Sequence, residues 1–157
     1  MRKILTATLA VAALSATPAL ALDVTKTATV AAPPATVWKT IGTFCGIGDW
    51  HPAVEKCVLS EKGGRQVRTL SLKGGGTIVE QEVARDDKTM AYTYAILESP
   101  LPVEGYKSTL SVAPDGKGSK LTWTGSFKAK GAPDAKAEEV VGGIYDGGLQ
   151  GISDKSK

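Results

Sequence analysis

The chain contains no asparagine and a single histidine, His51, among its 157 residues. N-glycosylation sequons, Cys-His-Asn triads and histidine-rich metal centres are therefore excluded. Charge of one sign is also lacking. With Arg2 and Lys3 set aside as part of an export segment, 17 basic residues stand against 16 acidic ones. So even a balance argues against nucleic acid or an anionic membrane as the main partner. No phosphate-binding loop, serine-hydrolase elbow or cysteine-protease signature is present. Glycine is plentiful at 18 but follows no Gly-X-Y period, which excludes a collagen-like chain. What remains, 42% hydrophobic and 22% charged residues in a chain of one-domain length, is globular composition.

The N-terminus reads as an export signal. Arg2 and Lys3 precede an uncharged apolar run from Ile4 to Ala16, and Pro18 followed by Ala19-Leu20-Ala21 supplies a small-residue cleavage site. The run is too short to cross ~30 Å of hydrocarbon, which takes about 20 residues. Residues 1–21 are thus expected to be a cleaved signal peptide and 22–157 a single domain. The expected location is the periplasm, without stable membrane insertion.

Val24 to Ala32 reads as a strand, stopped by Pro33-Pro34. Val37, Trp38, Ile41, Phe44 and Cys45 then recur at helical spacing up to Gly46, and Ile47 to Trp50 forms a second short helix before His51-Pro52. From there the period is two. Residues 54–60, 66–73, 77–85, 89–98, 103–113 and 120–128 each predict a strand, separated by glycine, proline and aspartate turns. Pro133-Asp134 opens a last helix, with Asp134 as expected N-cap and Ala137, Val141, Tyr145, Leu149 and Ile152 in its apolar stripe. The fold class is α+β: an antiparallel meander of seven strands, covered on its apolar face by the long C-terminal helix. Gly142, Gly143, Gly147, Gly148 and Gly151 lie in that helix. They imply close backbone approach, space left empty or a broken helix end.

Some side chains do not suit their face. Alternation places Arg68 with Leu70 and Leu72, and Glu80 with Glu82 and Ile78, on adjacent strands. Tyr92 and Tyr94 share one face; Tyr106 lies with Leu110, and Trp123 with Leu121 and Phe127. If these faces point inward, the sheet encloses an apolar space with a small polar set, the usual form of a small-molecule site. An Arg–Glu pair that only fixes two strands is the alternative. Trp50 and His51 stand near the expected mouth. Cys45, Asp49, His51 and Cys57 match no compact zinc spacing, so neither metal nor cofactor is expected.

Pro33-Pro34 to Trp38, the run from Phe44 to Pro52, Cys57, Val67-Arg68 and Glu80-Gln81 resemble the START/SRPBCC superfamily, in its polyketide cyclase/dehydrase-like branch. The resemblance covers nearly all of residues 22–157. It implies a helix-grip fold: a curved seven-stranded antiparallel sheet wrapped around a C-terminal helix, with two short helices after the first strand and a cavity between. The spacing Phe-Cys…Trp-x-Pro…Cys also resembles plant lachrymatory-factor synthases. By that likeness Arg68 would hold an oxygen anion, Glu80 would move a proton and Tyr106 would hydrogen-bond or relay. Glu82 departs from it, since a neutral side chain is expected there. By face and by the expected mouth, and not by this likeness, Trp50, His51, Glu82, Tyr92, Tyr94 and Trp123 are the expected ligand contacts, with packing or capping of the short helix the alternative for Trp50 and His51. Cys45 and Cys57 would be bonded in an oxidising compartment, yet a similar pair in intracellular relatives need not be.

The function that follows is binding of a small apolar or amphipathic molecule in the central cavity. One alternative is a cavity enzyme, an isomerase, cyclase or dehydratase using Arg68, Glu80 and Tyr106. The other is an accessory protein whose partner is a periplasmic redox enzyme, since secreted bacterial members also resemble accessory proteins of methanol oxidation.

Overall fold

The structure, a computed structural model, describes residues 20–157. The signal-peptide reading of residues 1–21 falls, but for its last two positions, outside them. Strand β1 (Leu22–Val30) is followed by helices α1 (Pro34–Ile41) and α2 (Ile47–Trp50). Then come β2 (Val54–Lys62), β3 (Arg65–Leu72), β4 (Thr77–Asp86), β5 (Ala91–Glu98), β6 (Val103–Asp115) and β7 (Gly118–Ala129), and last α3 (Asp134–Lys155). The strands form one antiparallel sheet in the order β1-β7-β6-β5-β4-β3-β2. Its curved face is filled by α3, which is the helix-grip architecture. The tight β2–β3 connection works because Gly63 and Gly64 both take positive φ, 60° and 74°, as a two-residue hairpin matching the strand twist requires.

Four local departures from the sequence reading shape the site. Helix α1 stops at Ile41 rather than running to Cys45, because Gly42 turns the chain with φ 70°. Phe44 and Cys45 therefore sit in a turn. Strand β5 begins at Ala91 rather than Thr89, since the Asp86 carboxylate accepts the backbone N–H groups of Lys88 and Thr89 and holds them in the turn. Asp134 does not cap α3: Pro133 occupies that position, and Asp134 contributes charge to the first turn instead. A register shift between Glu82 and Ala84 brings Arg85 opposite Tyr92, on the inner face, where strict alternation would send it outward.

Cys45 is disulfide-bonded to Cys57 on β2, with their Cα atoms 5.6 Å apart. The bond fastens the α1–α2 turn to the sheet edge. Closing a loop of this size is worth about 3 kcal/mol on the chain-entropy model. Reducing the bond, or replacing both residues by alanine, should lower the urea-measured unfolding free energy by that order. Unchanged stability would show that the turn is held by its other contacts alone.

Candidate functional site

The sheet and α3 enclose a cavity of about 240 Å³. Leu70, Ile78 and Ile96 line it from the sheet, and Val140, Val141 and Ile144 from α3. Leu72, Leu101, Val140 and Ile144 also line it while remaining half-buried, which places the mouth among them. The volume lies below the ~300–1,000 Å³ usual for drug-sized ligands, so the space suits a small molecule rather than a long lipid. Five polar side chains reach the wall: His51, Glu80, Tyr94, Tyr106 and Trp123.

Among the described residues Glu80 is the one charged residue of the wall, and its partner is Arg68. The two stand opposite each other in the β3–β4 register. Arg68 Nε donates to Glu80 Oε2 at 2.6 Å, and Arg68 Nη1 donates to the Phe44 carbonyl at 2.6 Å. The guanidinium carbon lies 4.1 Å from the centre of the Phe44 ring and 4.9 Å from that of Tyr94. Burial opposes the charge on Arg68, but the Glu80 carboxylate, with Tyr92 and Tyr94, outweighs it and holds the guanidinium above its ordinary pKa. The early end of α1 frees the Phe44 carbonyl for this role.

Beyond Glu80 lies a chain of hydroxyls. Tyr94 Oη is 3.3 Å from Tyr106 Oη, Tyr106 Oη is bonded to Tyr145 Oη, and Tyr145 Oη is 2.9 Å from Ser108 Oγ. Ser108 donates to the Thr124 carbonyl at 2.7 Å, while Trp123 Nε1 donates to Ser108 Oγ at 3.0 Å and Tyr94 Oη at 3.2 Å. Burial pushes all three phenols up, Tyr145 to about 12 and Tyr94 and Tyr106 well above their usual value, so they are neutral. Tyr145 fits because Gly125 of β7 has no side chain: a Cβ there would collide with the Tyr145 hydroxyl.

His51 is fully committed. Its Nε2 donates to the Ile144 carbonyl at 3.0 Å, and its Nδ1 accepts the Ala53 N–H at 3.2 Å. Only the neutral ring satisfies both partners, because a carbonyl can only accept and an N–H only donate. Burial, with Arg68 and Lys73 adding to it, pushes the imidazole below its ordinary value despite the opposing Ile144 bond. With the folded pKa lowered, the unfolded chain takes up the proton first. The contribution of His51 to stability is thus present above about pH 6.5 and is lost as pH falls through the folded-state value. Unfolding free energy should fall between pH 7.5 and 5.5, and His51→Phe should flatten that slope. Being the sole histidine, His51 gives a proton resonance that can be followed without ambiguity. A midpoint above 6.5 would contradict the assignment.

The structure thus brings Glu80, Tyr106, His51, Tyr94 and Trp123 to one cavity. Four other residues expected at the ligand do not line it. Arg68 stands behind Glu80, wholly buried. Trp50 is packed edge-on to Trp123, with its Nε1 donating to the Ile41 carbonyl. Tyr92 lies toward α1, with the Arg85 guanidinium 5.8 Å from its ring centre. Glu82 is half-buried, and burial raises its carboxyl pKa against the pull of Arg85 and Arg68. Tyr145 and Ser108 were not anticipated. Tyr145 could be read from helical spacing as a core residue, but nothing in the sequence signals that its hydroxyl meets Tyr106.

A family model described as polyketide cyclase / dehydrase and lipid transport matches residues 21–157. No curated protein matches the chain. Among solved structures, the protein XoxI from Bacillus cereus is 34% identical, with 85% of this chain and 94% of that one covered at a TM-score of 0.80. An uncharacterised Bacillus thuringiensis protein is also 34% identical, covering 86% and 98% at 0.80. The Zhui aromatase/cyclase of Streptomyces sp. R1128 shares the fold, at 22% identity and a TM-score of 0.72 over 87% and 94% of the two chains.

Proposed function

Because the chain belongs to the polyketide cyclase / dehydrase and lipid transport family, in the START/SRPBCC helix-grip superfamily, we propose that it is an exported, periplasmic protein that binds a small, mostly apolar molecule between its sheet and α3. The carrying observation is the cavity itself: aliphatic walls with one carboxylate, Glu80, held from behind by a buried arginine. Such a space is stabilising to fill, since each buried methylene of a ligand contributes about 0.8 kcal/mol. The Cys45–Cys57 disulfide supports an oxidising compartment.

Toluene is a suitable first probe. A ligand that binds only the folded state raises its stability, by about 2.7 kcal/mol at a hundredfold excess over Kd. Toluene should therefore raise the melting temperature of the wild-type protein. Ile144→Trp, which puts an indole into the cavity from a half-buried position, should remove the response while the variant remains folded. A wild-type protein indifferent to toluene, and carrying no small molecule in native mass spectrometry when isolated from its source, would refute the reading.

A catalytic use of the same cavity is the second reading, favoured by the position of Glu80, which leaves Oε1 free beside the ligand space once Oε2 is taken by Arg68. Proton transfer by Glu80 would be lost in Glu80→Gln with binding retained.

A further inference from the structure

We infer that the cavity selects ligands carrying a hydrogen-bond donor, such as a hydroxyl, a phenol or an N–H, over ligands of the same shape that offer only an acceptor. This rests on the cavity reading above and adds the chemical class of the ligand.

The inference follows from where every polar hydrogen on the wall goes. The Thr124 carbonyl can only accept, and it lies 2.7 Å from Ser108 Oγ, so the Ser108 proton lies between them. Ser108 then has no proton for Tyr145, 2.9 Å away, and Tyr145 must donate to Ser108. Tyr145 in turn has none for Tyr106, so Tyr106 donates to Tyr145. Tyr94 follows the same direction toward Tyr106 over a longer 3.3 Å contact. One backbone carbonyl beyond the cavity thereby orients the whole chain, and each of its protons is taken by a protein oxygen.

The other donors are committed as well. Trp123 Nε1 gives its hydrogen to Ser108 and Tyr94, and His51 Nε2 gives its own to Ile144. Arg68 is not among the residues of the wall: its Nε and Nη1 donate to Glu80 and Phe44, and its Nη2 is buried with no partner among the described residues. What the wall presents to a ligand is therefore acceptors: the free oxygen of Glu80 and the one remaining lone pair on each of Tyr106 and Tyr94. An acceptor-only ligand finds no hydrogen there and leaves its own oxygen, and the carboxylate, unpaired in a low-dielectric space.

Indole and benzofuran test this, being alike in shape but opposite in polarity: the first offers an N–H, the second a ring oxygen. Dissociation constants are measured by methyl-resonance titration of the wild-type protein, with indene as the apolar control. Indole should bind about tenfold tighter than benzofuran, the value of one well-placed hydrogen bond to a charged group. Equal affinities, or tighter benzofuran, overturn the inference while leaving cavity binding in place. Binding of none of the three, indene included, removes the cavity reading and this inference with it. Ser108→Ala deletes the group that orients the relay: Tyr145 can then donate to Tyr106, which frees Tyr106 and Tyr94 to turn their protons toward the ligand, so the indole preference should fall toward unity. Glu80→Gln, which adds an N–H₂ donor in place, should shift the ratio the same way. A preference unchanged in both variants would overturn the assignment of these groups as the selecting acceptors.

Discussion

Replacing Arg68 by methionine should cost about 3–5 kcal/mol of folding free energy, the usual result of deleting one member of a buried ion pair. Arg68 is 0% exposed. Its loss strands two groups at once. The Glu80 carboxylate loses its only partner among the described residues, and the Phe44 carbonyl loses the donor that ties the α1–α2 turn to the sheet. The double variant Arg68→Met/Glu80→Leu should recover most of the loss, because replacing both partners by apolar groups of similar volume is often neutral. Urea unfolding of the wild type, both single variants and the double variant gives the coupling. A single Arg68→Met variant as stable as wild type would show that the pair adds nothing to the fold. The same cycle separates roles: the double variant should fold and enlarge the apolar wall while losing any ligand selectivity that depends on the carboxylate.

The glycines of α3 should respond to alanine with opposite signs. Helix propensity alone predicts a gain of about 1 kcal/mol for each exchange. At Gly143 that gain is expected, since the position is exposed and an added Cβ meets nothing. At Gly151 an added Cβ would run into the Trp50 backbone carbonyl, and at Gly148 into the Trp123 ring, with His51 Cδ2 also 2.9 Å away. Backbone and packed aromatic rings cannot step aside cheaply, so overpacking of about 1–3 kcal/mol should exceed the propensity gain. Gly148→Ala should also disturb His51 and Trp123, both part of the cavity wall. Thermal unfolding of the three variants decides: Gly143→Ala above wild type, Gly148→Ala and Gly151→Ala below it. A rise at all three would mean that α3 does not lie this close to α2 and β7.

These glycines illustrate what a sequence can carry. Their number left close backbone approach, empty space or a broken helix end open, and at Gly148 and Gly151 close approach is what the packing requires. The meander from β2 to β7 was legible because turn chemistry falls at regular intervals between period-two segments; the pairing of β1 with β7 left no such mark. Alternation put Arg68 and Glu80 on matching faces of adjacent strands but left open whether those faces point inward; the structure places both inside. What alternation cannot show is depth. Arg68 and Glu80 share a face, yet only Glu80 reaches the cavity, because Arg68 is drawn toward the Phe44 carbonyl. Arg85 was hidden by a bulge, which shifts the face of every residue after it and leaves no mark in composition. Tyr145 was visible as an apolar helix position, while its bond to Tyr106 depends on a glycine 20 positions earlier in the chain, Gly125, making room. Cys45 and Cys57 could be paired or free on sequence alone; the turn after Gly42 brings them together.

The most direct test is a carbon-13 methyl titration of the wild-type protein with toluene. The methyl groups of Leu70, Ile78 and Val141, all deep in the wall, should shift together and saturate. Those of Val58 and Leu59, exposed on the edge strand β2, should not move. Saturable shifts confined to the outer residues, or none anywhere, would contradict an interior ligand site.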